Sequence, residues 1–175
     1  LGEKFIEYNP GVEDFLKETK TNTHIKNYIL SGGLKEYLQG LQIAQYFDGI
    51  YGTPVTFDEN GLISGINMQE IVTDEKKIMF IKDILKKNNR AEDNCTNVVY
   101  IGDGYSDKPA MEYIHSHGGI AVFVRQPVQE IEDEYSKYNN EIYNVLKANG
   151  VVDYKCEANY NNGSDLRKIL YYRTT

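Results

Sequence analysis

Val98-Val99-Tyr100-Ile101-Gly102-Asp103-Gly104-Tyr105-Ser106-Asp107 is the stretch whose reading decides the fold. Residues 98–101 form a short apolar, β-branched run, the pattern of a buried strand. Gly102 and Gly104 let the backbone turn tightly and come close to a ligand. Asp103 therefore stands at the carboxyl end of a strand, where open α/β sheets bind ligands. Asp107 falls near the start of the next helix. Two carboxylates so placed suit a hard cation such as Mg²⁺, which points toward phosphate chemistry. The plainer alternative is a solvent loop with a helix cap at Ser106 or Asp107. Carboxylates beside an apolar strand are costly unless a cation or a donor compensates, and this favours the site.

Outward from that stretch, the chain alternates helices and strands. Val12, Phe15 and Leu16 mark one face of a helix after Pro10-Gly11, and residues 25–30 read as a strand. Leu34, Tyr37, Leu38 and Leu41 form a helical stripe, followed by a short strand at 47–51. The β-like runs 55–57 and 62–64 flank Asp58-Glu59-Asn60-Gly61, which predicts a hairpin. Ile78, Ile81, Ile84 and Leu85 belong to a helix that opens at Asp74 and ends near Asn88-Asn89. After the opening run come a helix with Ala110, Met111 and Ile114, a strand at 119–124 and a longer helix over 128–148. A strand over 151–156 and a helix capped by Ser164-Asp165 follow. Strands separated by helices imply an α/β fold: a Rossmann-like parallel sheet with helices on both faces and one small β-hairpin insertion.

The 175 residues suffice for a single domain, 1–175, with a core of its own. A net charge of −7 disfavours general binding to nucleic acid or to a membrane surface. Cys95 and Cys156 make no disulfide framework and lack metal-ligand spacing, so a reducing, cytoplasmic location is expected. No stretch is apolar enough to span a membrane, and Leu1-Gly2-Glu3-Lys4 is unlike a signal peptide.

Two further sites lie near predicted strand and helix ends. Ser31-Gly32-Gly33 combines a hydroxyl with backbone N–H groups, an anion site if a helix starts there; it also reads as a helix cap with flexible glycines. Lys76-Lys77 opens the helix from Asp74. The helix dipole mildly disfavours a cation in the first turn, so a lysine there suits a phosphate, although a solvated lysine fits as well. Lys77 is preferred to Lys76 because it precedes Ile81 by one turn, on the stripe that faces the sheet.

In this order, Ser31-Gly32-Gly33, Lys77 and Gly102-Asp103-Gly104-Tyr105-Ser106-Asp107 resemble the second, third and fourth motifs of the haloacid-dehalogenase-like hydrolases, phosphoserine-phosphatase-like branch. The resemblance extends from Pro10 to about Val124 and is most specific at the fourth motif. It implies a Mg²⁺-dependent phosphatase acting on a small phosphorylated metabolite through an aspartyl-phosphate. Asp103 would ligate Mg²⁺. Asp107 would support the metal shell or pair with Lys77. Ser31 and the Gly32 N–H would hold phosphoryl oxygens, and Lys77 would neutralise the phosphate. Ser106 replaces the asparagine usual in phosphoserine phosphatases, which weakens phosphoserine as the substrate.

One departure is large. The family's first motif, an apolar strand ending in Asp-x-Asp, has no counterpart between Leu1 and Leu30. The run Val55-Thr56-Phe57-Asp58-Glu59-Asn60 comes after Ser31 and reads as a hairpin turn. The chain is therefore expected to be an N-terminally incomplete core, without the first strand and the cap. The missing segment would be part of a longer protein or a separate chain. Two inner strand edges would then be unpaired, and the chain alone would be inactive. The serious alternative is a non-catalytic domain of the same fold that binds phosphate or a partner. A dinucleotide site is disfavoured because Asp103 and Asp107 would repel a pyrophosphate. A phosphate-sensing receiver domain would place its acidic pair early and its lysine last.

Overall fold

The computed structural model describes residues 6–125 and 134–174. Its most deeply placed strand is Ile120–Arg125 (β6), of which the first five residues are buried. β6 pairs in parallel on both edges, with Val99–Gly102 (β5) on one side and Tyr154–Glu157 (β7) on the other. A continuous apolar run is what a strand covered on both faces requires. Alternate residues of β6 feed two cores. Ile120, Val122 and Val124 pack with Cys156, Leu166 and Leu170, whereas Ala121 and Phe123 pack with Met111, Ile142 and Leu146.

The helices supply those two layers. Asp74–Lys87 (α3), Lys108–Ser116 (α4) and Glu134–Ala148 (α5) cover one face. Asp165–Thr174 (α6) and Val12–Thr21 (α1) cover the other, with Phe15 of α1 packed against the α6 cluster. Ser164 Oγ accepts from the Arg167 N–H at 3.1 Å and caps α6. Both cysteines are free and buried, Cys95 beneath α3 and α4 and Cys156 beneath α6.

A second parallel pair joins Tyr28–Leu34 (β1) to Gly49–Thr53 (β2). Lys35–Gln39 (α2) and a 3₁₀ turn over Gln42–Tyr46 connect them. Val55–Phe57 (β3) and Ile63–Ile66 (β4) form the expected antiparallel hairpin, with Gly61 at φ 77° in its turn. The parallel strands thus form a two-stranded and a three-stranded sheet, and among the described residues no strand pairs with the second edge of β1 or of β5.

Some boundaries differ from expectation. β1 begins at Tyr28 rather than at 25, because the Ile25 N–H closes a turn onto the Asn22 carbonyl. Asn27 also spends its side chain on Thr19 Oγ1, at 2.8 Å. β1 continues through Leu34 with an irregularity after Leu30. The helix expected over 128–148 is α5 from Glu134; residues 128–133 lie outside the described residues. Among the described residues no helix is long and apolar enough to cross a membrane.

Candidate active site

The site grows from the first turn of α3. Thr73 Oγ1 accepts from the Lys76 N–H, and Asp74 and Glu75 complement the dipole of the first turn. This fixes the helix phase. Lys76 points away and donates to the Gln69 carbonyl at 2.6 Å. Lys77 points inward and is only 5% exposed. Its Nζ lies 2.7 Å from Asp107 Oδ1 and also donates to the Ser106 carbonyl at 3.2 Å and to Ser106 Oγ at 3.3 Å.

Asp107 ends the 3₁₀ turn Tyr105–Asp107 that follows β5, and it is buried. Its Oδ1 accepts from Lys77 and, at 2.7 Å, from the Tyr100 hydroxyl. Its Oδ2 accepts from the backbone N–H groups of Asp103 and Gly104, at 3.2 and 3.3 Å. A buried ion pair holds only when such extra donors satisfy the carboxylate, and here four converge on it. Burial and the adjacent Asp107 charge hold the Tyr100 hydroxyl protonated, far above the ordinary tyrosine range. Gly102 is required at this point, since a Cβ there would lie 2.6 Å from Asp107 Cγ.

Asp103 stands beside that network without joining the Lys77–Asp107 ion pair. Burial first, and the Asp107 charge second, push its pKa up, while Lys77 opposes the shift. Its main chain is held from the far side: Asn139 of α5 donates from Nδ2 to the Asp103 carbonyl at 2.9 Å. Asn139 is buried, and its Oδ1 has no partner among the described residues. Tyr100 and Asn139 were not singled out in the sequence. Tyr100 was legible as the polar-tipped residue two before Gly102. Asn139 lies 36 residues from Asp103, and nothing local marks it.

Ser31 and Gly32 differ from expectation. They lie inside β1, not at a helix N-terminus, and α2 starts only at Lys35. Ser31 Oγ accepts from the Gly33 N–H at 3.0 Å. The Gly32 carbonyl accepts from Thr53 Oγ1 at 3.0 Å, and that hydroxyl accepts from the Val72 N–H at 3.1 Å. The end of β1 is thereby tied to the entry of α3, five residues before Lys77. Lys77, Asp103 and Asp107 form one hydrogen-bonded group; Gly32 is linked through Thr53 to Val72 at the entry of α3, and the Ser31 hydroxyl bonds within its own strand, to Gly33.

Of the two roles expected of Asp107, pairing with Lys77 is the contact that is seen. Both Asp107 oxygens are engaged by donors, so Asp107 serves as the Lys77 counter-ion. Among the described residues no three His, Cys, Asp or Glu side chains gather as a metal cage. What remains is the single carboxyl of Asp103, outside the Lys77–Asp107 ion pair. That fits Mg²⁺, which keeps several waters and takes one or two carboxylates plus phosphate oxygens.

No protein-family model matches the chain, and no curated protein matches it. Solved structures do. A HAD-family hydrolase from Salmonella enterica serovar Typhi is 25% identical over 67% of this chain and 38% of its own, with a TM-score of 0.53. A substrate-bound phosphoserine phosphatase is 19% identical, with a TM-score of 0.61 over 97% of this chain and 65% of its own. A phosphoserine phosphatase captured as a phospho-aspartyl intermediate analogue is also 19% identical, with a TM-score of 0.60 over 97% and 66%. The chain thus spans between 38% and 66% of the length of these three. It has the haloacid-dehalogenase-like fold of the phosphoserine-phosphatase kind.

Proposed function

We propose that this haloacid-dehalogenase-like core supplies the metal- and phosphate-holding part of a Mg²⁺-dependent phosphatase for a small phosphorylated metabolite. The observation that carries the reading is the buried Lys77–Asp107 pair beside the carboxyl of Asp103, which stays outside that pair. A buried ammonium paired with a carboxylate that accepts from four donors is a preorganised cation, and it costs no reorganisation when negative charge develops on a phosphoryl group.

In this reading Asp103 holds Mg²⁺, which would supply charge neutralisation on the phosphoryl oxygens. Lys77 adds the second positive charge. The Ser31 hydroxyl and the Gly32 N–H orient the phosphoryl group from the β1 side. Asn139 keeps the Asp103 main chain in place. The nucleophile is an aspartate outside residues 1–175. Its carboxylate attacks phosphorus, the ester P–O bond breaks and the leaving oxygen takes a proton; water then cleaves the acyl phosphate to inorganic phosphate. Ser106 beside Lys77 favours a substrate other than phosphoserine. Two buried free thiols agree with work in a reducing compartment.

Calorimetry with Mg²⁺ and inorganic phosphate tests the binding half. Residues 1–175 should bind phosphate in a Mg²⁺-dependent way and lose it on Asp103→Asn, without turning over p-nitrophenyl phosphate. Turnover by residues 1–175 alone would mean that the nucleophile lies within them. A longer form of the protein carrying that aspartate should hydrolyse p-nitrophenyl phosphate and lose this on Asp103→Ala. The second reading, a non-catalytic phosphate- or partner-binding domain, is favoured by the lack of an Asp-x-Asp strand in the sequence; binding without turnover in the longer form would select it.

A further inference from the structure

Residues 57–68 carry five exposed large apolar side chains: Phe57, Leu62, Ile63, Ile66 and Met68, from 46% exposed at Ile66 to 74% at Met68. The pairing of β3 with β4 orders them. Val55 faces Ile66, Thr56 faces Gly65 and Phe57 faces Ile63. Ser64 is therefore an extra residue, a bulge opposite Thr56, and the two hydroxyls bond at 3.1 Å. Strand side chains alternate between faces, so without the bulge Ile63 and Ile66 would point to opposite sides. With it, both join Val55 and Phe57 on one apolar face, and Thr56 and Ser64 hold the other.

The root of the hairpin is anchored. Val55 is buried, and its N–H donates to Glu36 Oε2 at 3.1 Å. The Asn67 N–H donates to the Pro54 carbonyl and closes the root. Phe57, Ile63 and Ile66 thus stand in water on a hairpin that is held in place. Two strands with an uncovered apolar face are marginal by themselves, and contiguous apolar surface of this kind marks an interaction site.

Charge is divided along the hairpin. The tip carries Asp58 and Glu59, with Asp58 engaged by the N–H groups of Asn60 and Leu62. At the root lies Lys76, whose Nζ donates to the Gln69 carbonyl, three residues past Ile66. The face between them, Phe57, Ile63 and Ile66, is uncharged. Two copies stacked about a two-fold axis meet either tip on tip or tip on root. Tip on tip opposes the acidic pairs of both copies. Tip on root brings Glu59 of each copy toward Lys76 of the other. The strands between are short, about 12 Å long, so a tip reaches a root. Side chains of this size bury about 150–250 Å² each, and the exposed parts of these five come to on the order of 500 Å² per copy. A dimer then removes about 1,000 Å² of apolar surface from water, which with a polar rim reaches the size of a specific interface.

We propose that the face of Phe57, Ile63 and Ile66 is a self-association surface, on which a second copy of this chain stacks face to face and tip on root as a two-fold dimer. This does not depend on the phosphatase reading.

Sedimentation equilibrium of residues 1–175, from micromolar to millimolar chain, tests it. The mass should be that of two copies and fall to one on dilution. Ile63→Glu should weaken the dimer about a hundredfold, because it buries an unpaired charge in each copy. Thr56→Lys, on the other face, should leave it unchanged. Glu59→Lys should weaken it about fivefold, and Lys76→Glu added to it should restore it. Should Ile63→Glu misfold by circular dichroism, Ile63→Ser decides, with a smaller loss expected. A monomer at every concentration overturns the proposal, whether it stays free or sediments with phosphatidylcholine vesicles. So does a dimer indifferent to the Ile63 variants, one weakened as much by Thr56→Lys, or a Glu59→Lys loss that Lys76→Glu leaves unrestored.

Discussion

β5 and β6 are parallel neighbours, both built around β-branched and aromatic residues, yet they live differently. β6 is paired on both edges, and its residues 120–124 are buried without a break. Among the described residues β5 is paired on one edge, and Val99, Tyr100 and Ile101 remain partly accessible. An apolar strand is thus as buried as its neighbours allow, whatever its sequence prefers. The difference also divides labour: β6 anchors two cores, whereas β5 ends in the loop that carries Asp103 and Asp107.

The sharpest break of that comparison is a pair of truncations. Phe123→Ala in β6 should cost about 3–5 kcal/mol in denaturant unfolding, the range for a fully buried aromatic. Ile101→Ala in β5 should cost roughly half as much, because less apolar surface leaves water there. Equal costs would mean that β5 is as enclosed as β6. Next comes the loop after β5. Asp107→Ala leaves Lys77 buried without its counter-ion and should cost about 3 kcal/mol or more; a loss below 1 kcal/mol would show that water already reaches Lys77.

The smallest effect has the opposite sign. The Asp103 carboxyl titrates above its unfolded value, so the folded state keeps its proton longer than the unfolded state. Stability from this group is therefore full below the unfolded carboxyl pKa and is lost as pH rises through the raised folded value. Asp103→Asn should match the parent at low pH and be the more stable at pH 7 without metal, in thermal melts across that window. Added Mg²⁺ should stabilise the parent and not the variant. A variant less stable at pH 7 would place Asp103 in a structural role.

Much of this was legible because it is local. The Val98–Ile101 run, the glycines around Asp103 and the phase that turns Lys77 inward are properties of a few adjacent residues, and so is the Gly61 turn. What was not legible depends on distant chain. The start of β1 slid to Tyr28 because Asn27 is drawn to Thr19. Ser31 and Gly32 stayed in a strand because Thr53, on β2, holds the Gly32 carbonyl. The pairing of Asp107 with Lys77 was among its expected roles, but its further donors, the Tyr100 hydroxyl and two backbone N–H groups, were not legible. Asn139 reaches Asp103 from α5 through packing alone.

The two cysteines carry a practical consequence. Both thiols are buried, and burial raises both pKa values, that of Cys156 to about 11. Thiolate is scarce and shielded in the folded chain, so alkylating reagents can reach it only when a core opens. Cys95 sits in the α3–α4 layer and Cys156 in the α6 layer. The protein thus contains two internal clocks, one in each helical layer, and their relative labelling rates report which side of the sheet comes apart first.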